Sequence, residues 1–177
     1  MIRITGGTYR SRLLLTPESE LTKPTMDKVR LGVFSALGDS VKNAKVLDLF
    51  AGSGSYGFEA ISRGAISATF VDKSMFAFNS LKENKKNLQI NDCEIVYKDS
   101  LQFLKDCNSK YNIIFVDPPY KLDVYEEVVE LVISKDILKD GGLLVLESEN
   151  ELKLDEKKFS RIKFYKYGLA KIYIIKK

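Results

Sequence analysis

The chain predicts an α/β fold, with a mostly parallel sheet covered by helices on both faces and closed by an antiparallel hairpin at its C-terminal end. From Val46 onward, short β-branched runs alternate with stretches of helical length, which is the rhythm of βαβ units. The last two runs, 161–168 and 170–176, are separated by Leu169 alone, and so short a connection forces antiparallel pairing. A length of 177 residues, 45% of them hydrophobic and 29% charged, suits one domain with a real core.

The elements follow in order. VLDLF (46–50) reads as a strand, followed by a helix over 55–63 that Gly64 stops. SATFVD (67–72) is the second strand, and Ser74 is placed to cap a helix running to Leu88. EIVY (94–97), a short helix over 100–107 and NIIFVD (112–117) continue the alternation. A helix near 123–134, a Gly141-Gly142 turn, LLVLES (143–148) and the closing hairpin complete it. Residues 1–38 break the rhythm. MIRIT and TYRSRLLL flank Gly6-Gly7 as a small basic hairpin, and a helix over 26–37 follows with Thr25 as its expected N-cap. The expected division is an arm over 1–38 in front of a core over 39–177.

Composition removes several chemistries. There is no histidine, so no imidazole base, no Ser-His-Asp triad and no His-ligated zinc are available. Cys93 and Cys107 are too few for a four-cysteine metal site and read as reduced thiols, so no metal is expected. The first twelve residues contain no apolar h-region and no apolar run reaches membrane-spanning length, so a cytoplasmic protein is expected. Charge is divided unevenly: residues 1–45 carry net +4, 46–152 net −7 and 153–177 net +7. Basic ends around an acidic middle suit a polyanionic partner. Arg3, Arg10, Arg12 and Arg30 are four of the six arginines, which singles out the arm.

An acid stands at the carboxyl end of each of the first four core strands: Asp48, Asp72, Asp99 and Asp117. Ligands of parallel α/β sheets bind at those ends. Gly52, Gly54 and Gly57 satisfy G-x-G-x-x-G, with Asp72 twenty residues after Gly52. A dinucleotide would bring a doubly anionic pyrophosphate among four carboxylates, which repel it. S-adenosylmethionine carries a sulfonium, an ammonium and hydrogen-bond donors on its ribose and adenine, so the acids suit this methyl donor better. Asp117-Pro118-Pro119-Tyr120 then points to methylation of an exocyclic base amine. Asp117 and the Pro118 carbonyl can accept from the two N–H groups, with Pro119 stiffening the backbone before it. Tyr120 offers a face on which a flipped base stacks. No strong base is needed, because the methylated ammonium loses its proton to solvent.

D-L-F-A-G-S-G-S-Y-G-F-E-A (48–60) together with F-V-D-P-P-Y (115–120) resembles the class I amino-methyltransferases. R-I-T-G-G-T-Y-R-S-R-L-L (3–14) and K-P-T-M-D-K-V-R (23–30) further resemble the RsmD-type family, which methylates N2 of a guanine in bacterial small-subunit ribosomal RNA. The resemblance covers nearly the whole chain and is weakest over 150–177. It implies a Rossmann-like seven-stranded sheet, a monomer, and an assembled or assembling 30S particle as substrate. It also implies S-adenosylmethionine contacts from Asp48, Phe50, Ala51, Gly52, Ser53, Gly54, Gly57, Asp72, Lys73, Asp99, Ser100 and Asp117. Asp117, Pro118, Pro119 and Tyr120 would hold the target guanine. Arg3, Arg10, Arg12, Lys23, Thr25, Lys28, Arg30 and Lys121 would face RNA. Two positions depart from the family pattern: Lys23, usually arginine, and Leu31, usually glutamate. Lysine gives up bidentate phosphate contact at the first.

Other readings stay open at this level. They are a DNA adenine or cytosine amino-methyltransferase, a nicotinamide oxidoreductase using the glycine motif, and a non-catalytic RNA-binding assembly factor. Glu147 and Glu149 read as exposed acids at a strand end, and the aromatic residues of 159–173 read mainly as core.

Overall fold

The computed structural model describes residues 1–17, 24–119 and 121–177, with the side chains of 24–26 excepted. Two short strands, β1 (Ile2–Arg3) and β2 (Leu13–Leu14), pair antiparallel. Helix α1 (Pro24–Leu37) follows, and then the core alternates β3 (Lys45–Leu49), α2 (Ser55–Ser62), β4 (Ser67–Asp72), α3 (Met75–Leu88), β5 (Cys93–Tyr97), α4 (Ser100–Asp106), β6 (Tyr111–Val116) and α5 (Tyr125–Ser134). Three strands close the chain: β7 (Leu138–Ser148), β8 (Arg161–Tyr167) and β9 (Ala170–Lys176).

Seven strands form one sheet in the order β5-β4-β3-β6-β7-β9-β8. Strands β3 to β7 run parallel, and β9 is antiparallel to both β7 and β8. Period-two alternation divides the strand side chains between two cores. Val46, Phe70, Phe115 and Val145 face one, under α1, α2 and α3. Leu47, Val71, Ile114 and Leu146 face the other, under α4 and α5. The arm shares the first core: Ile2, Ile4, Leu14, Val33 and Phe34 pack with the sheet residues, and Leu37 and Val41 flank the expected boundary within that same cluster.

Three local expectations are corrected. Helix α1 begins at Pro24, which places Thr25 inside its first turn instead of at the cap; proline's missing N–H costs nothing there. Strand β7 starts five residues early, because Gly141-Gly142 forms a bulge and not a strand-preceding turn. The register passes from Tyr111↔Leu138 to Ile113↔Leu143, with Gly141 at φ +72°. The closing hairpin has a two-residue loop, Gly168-Leu169, with Gly168 left-handed at φ +64°. Ser74 caps α3 as expected, its hydroxyl accepting from the Ala77 N–H at 3.4 Å.

Candidate active site

The sheet order reverses beside β3: β4 lies on one side of it and β6 on the other. A crevice opens at the carboxyl ends of strands where such a reversal occurs. The turn leaving β3 is built from left-handed backbone at Phe50 (φ 58°), Gly52 (φ 53°) and Gly54 (φ 78°). Gly54 allows a close approach that a side chain would prevent, since a Cβ there would meet Leu81 Cδ2 at 2.6 Å.

Carboxylates hold this turn in shape. Asp48, 2% exposed, accepts the Gly57 N–H on Oδ2 at 2.8 Å and so anchors the first turn of α2. Asp72 Oδ2 accepts the Gly52 N–H at 2.9 Å, and its Oδ1 accepts the Ser74 N–H at 2.8 Å. The Phe50 N–H donates to Ser100 Oγ at 3.3 Å, tying the turn to α4. Asp99 Oδ1 caps α4, accepting from Leu101 N–H at 3.1 Å and Gln102 N–H at 3.3 Å, while Lys73 Nζ lies 3.4 Å from Oδ2. Partial burial of Asp99 works against its charge, but the Gln102 amide, Lys73 and the Leu101 amide outweigh it and hold the carboxyl below its ordinary range.

Asp117 stands half-buried just past the end of β6, next to a buried Pro118 and an exposed Pro119 whose carbonyl accepts from the Leu122 N–H at 2.8 Å. Tyr120 lies outside the described residues. The turn 50–57, Asp72, Lys73, Asp99, Ser100 and Asp117 thus gather at one end of the sheet, as their positions after successive parallel strands require.

The arm residues divide. Arg3, Arg10, Arg12, Lys28 and Lys121 are exposed. Arg12 Nη2 donates to the Asn87 carbonyl near the C-terminal end of α3 at 2.7 Å. Lys23 lies outside the described residues, and of Thr25 only the backbone is described. Arg30, expected to face RNA, is corrected: it is 2% exposed. Its Nε donates to Glu59 Oε2 at 3.3 Å, and its Nη2 to Asp27 Oδ1 at 2.8 Å and to the Arg3 carbonyl at 2.5 Å. A guanidinium so placed is a strut between the arm and α2.

Several partners of that strut escaped the sequence reading. Fully buried Glu59 also accepts the Thr5 N–H at 2.8 Å, the Thr5 hydroxyl at 2.7 Å and Arg63 Nε at 2.7 Å. Gly7 (φ 78°) lets the loop lie against the end of α2, where a Cβ would stand 1.8 Å from the Ser62 carbonyl oxygen. Buried Asn84 accepts the Leu15 N–H and donates to the carbonyls of Leu15 and Ser53, linking arm, α3 and glycine turn. Glu147, expected to be exposed, is 8% exposed and accepts the Tyr56 hydroxyl on Oε2 at 2.5 Å. For the loop against α2 the sequence signal is the G-G-T-Y run, whose glycines serve packing there; the Asn84 and Glu147 contacts have no such signal.

Comparison with known proteins matches this arrangement. A family model described as conserved hypothetical protein 95 covers residues 2–176. The ribosomal RNA small subunit methyltransferase D of Escherichia coli K12 is 37% identical over 150 residues, 85% of this chain and 76% of its own length. This chain belongs to that RsmD-type family. The Haemophilus influenzae ribosomal RNA small subunit methyltransferase D is 34% identical over 154 residues, 85% of this chain and 80% of its own length. An E. coli methyltransferase structure superposes with a TM-score of 0.91 at 32% identity, covering 99% of this chain and 97% of that one. The fold extends to a Thermus thermophilus 16S rRNA N2 methyltransferase solved with AdoMet and guanosine. That structure has a TM-score of 0.74 at 23% identity, covering 92% of this chain and 45% of that one.

Proposed function

We propose that this RsmD-type chain transfers a methyl group from S-adenosylmethionine to the N2 amine of one guanine in small-subunit ribosomal RNA, within an assembled or assembling 30S particle. The observation that carries this reading is the hydrogen-bonded crevice, in which a glycine turn braced by Asp48 and Asp72 stands beside Asp117-Pro118. The donor set fits the methyl donor. Asp72 and Asp99 offer carboxylate oxygens for hydroxyl and amino donors. Bound there, held by the turn 50–57, Asp72 and Asp99, S-adenosylmethionine would supply an electrophilic methyl group, with its thioether as the leaving group.

The protein's part is placement. Asp117 and the Pro118 carbonyl accept the two N–H groups of the target amine and turn its lone pair toward the methyl carbon. Proximity and alignment then lower the barrier without a strong base. The proton released after transfer leaves to solvent, in keeping with a chain that has no histidine. Exposed Arg3, Arg10, Arg12, Lys28 and Lys121, together with Lys23, supply the phosphate contacts, and residues 1–38 act as the RNA-binding arm of a monomer. A pre-shaped RNA within the particle supplies the specificity.

The test is methyl transfer from labelled S-adenosylmethionine to small subunits lacking the modification, with free rRNA and duplex DNA alongside and the product nucleoside identified by mass spectrometry. N2-methylguanosine at one site, strongest on the particle, is expected. Asp117→Ala abolishes transfer while cofactor affinity stays nearly unchanged. Label on DNA or on adenine refutes the assignment, and cofactor binding without transfer to any substrate favours the assembly-factor reading.

A further inference from the structure

Glu147 ends β7, the strand beside β6. The register pairs Phe115 with Val145 and Val116 with Leu146, so the next residues along, Asp117 and Glu147, stand side by side at the carboxyl ends. Phe115 and Val145 face the core under α1 to α3, and strand alternation turns Asp117 and Glu147 to that same side. The Tyr56 ring stacks on Phe115, with centroids 4.8 Å apart and planes 18° from parallel. Its hydroxyl donates to Glu147 Oε2 at 2.5 Å, and the Tyr125 hydroxyl donates to the Glu147 carbonyl at 2.6 Å. Burial, then the nearby charges of Glu147 and Asp117, push the Tyr56 hydroxyl well above its ordinary range, which agrees with both carboxylates facing it.

Glu147 is therefore held at its backbone and at one carboxylate oxygen. Its other oxygen, Oε1, takes no hydrogen bond from the described residues. Among those residues, no fully buried side-chain oxygen lacks a partner, so Oε1 keeps some exposure at the strand end that Glu147 shares with Asp117. Two neighbouring carboxylate acceptors at one strand end call for two neighbouring donors. Guanine presents such a pair, with the N1–H beside the 2-amine. Adenine sets a bare ring nitrogen beside its amine, which would leave the second carboxylate facing a lone pair.

We propose that Glu147 is a specificity-determining residue, its Oε1 accepting the N1–H of the target guanine while Asp117 and the Pro118 carbonyl hold the 2-amine. Tyr56 is a positioning residue that fixes the Glu147 carboxylate. This rests on the methyl-transfer reading above and adds the group that recognises the base.

The experiment uses small subunits assembled on rRNA ligated to carry guanine or 2-aminopurine at the position wild-type protein methylates. 2-Aminopurine keeps the amine and replaces N1–H with a bare nitrogen. Single-turnover transfer by wild type is expected to favour guanine by roughly 10- to 100-fold, the discrimination one well-made polar base contact provides. In Glu147→Gln the side-chain amide can turn an N–H to that nitrogen, so the preference falls to within about threefold. The ratio is read on one protein preparation, so any loss of folded fraction cancels. A variant that slows both substrates equally and keeps the wild-type ratio overturns the proposal, as does wild type with no preference. Wild type that methylates no guanine refutes the parent reading and this one with it, whereas an unchanged ratio refutes only the role of Glu147.

Discussion

Removal of the Glu59 carboxylate tests the strut between arm and α2. Glu59 is fully buried and accepts from four groups: the Thr5 amide, the Thr5 hydroxyl, Arg30 and Arg63. Glu59→Ala leaves the Arg30 guanidinium, 2% exposed, with Asp27 and the Arg3 carbonyl as its partners among the described residues. It also strands the Thr5 N–H. Breaking a buried charge pair by deleting one partner costs about 3–5 kcal/mol. In a domain of this size each kcal/mol moves the melting temperature by about 2–4 °C, so a fall of about 6–20 °C is expected. Thermal unfolding followed by circular dichroism at neutral pH reads it. The double variant Glu59→Leu with Arg30→Met removes both charges together and should lose less than Glu59→Ala, because no uncompensated buried ion remains. A loss below about 3 °C for Glu59→Ala, or a double variant that loses as much as Glu59→Ala, would refute the reasoning.

Other expectations follow from the same contacts. Asp72→Ala removes the acceptor of the Gly52 and Ser74 amides together with the carboxylate proposed to hold the cofactor. Calorimetric titration should show S-adenosylmethionine affinity falling by roughly 10- to 100-fold, the worth of one or two hydrogen bonds to a charged group. Gly7→Ala places a Cβ against the Ser62 carbonyl in left-handed backbone and should destabilise the fold by more than about 1 kcal/mol in urea unfolding. Arg10→Ala and Arg12→Ala should each weaken binding to small subunits and lower the slope of log affinity against log salt by about one; unchanged slopes would take these residues off the RNA face. Hydrogen bonds from Lys110 and Lys177 lower the Asp136 carboxyl from 3.8 to about 2. A carboxyl depressed on folding stabilises above its unfolded value and loses that contribution as pH falls through the folded one. The melting-temperature advantage of wild type over Asp136→Asn should therefore hold above pH 3.8 and shrink as the pH falls toward about 2.

Local pattern carried the sheet. β-Branched runs, helical spacing and strand-end acids depend on neighbours along the chain, and they placed the strands, the glycine turn and the gathering of Asp72, Asp99 and Asp117 at one end of the sheet. The bulge at Gly141-Gly142 escaped because a glycine pair reads alike in a turn and in a bulge; only the pairing of β7 with β6 separates them.

The surroundings of each charged residue depend on the folded chain. Arg10 and Arg30 look alike along the chain, yet Arg10 is exposed while Arg30 is enclosed by Glu59, Asp27 and the Arg3 carbonyl. Glu147 reads as one more acid at a strand end, and its burial follows from Tyr56, ninety-one positions away, folding over Phe115 to reach it. A charge is worth what surrounds it, and those surroundings are set by contacts between distant segments that no local window contains. Local pattern therefore sufficed for the fold class and for the place of the acids at the strand ends. The packing of the arm against α2 determined which basic groups stay exposed, and the pairing of β6 with β7 determined which second acid stands beside Asp117.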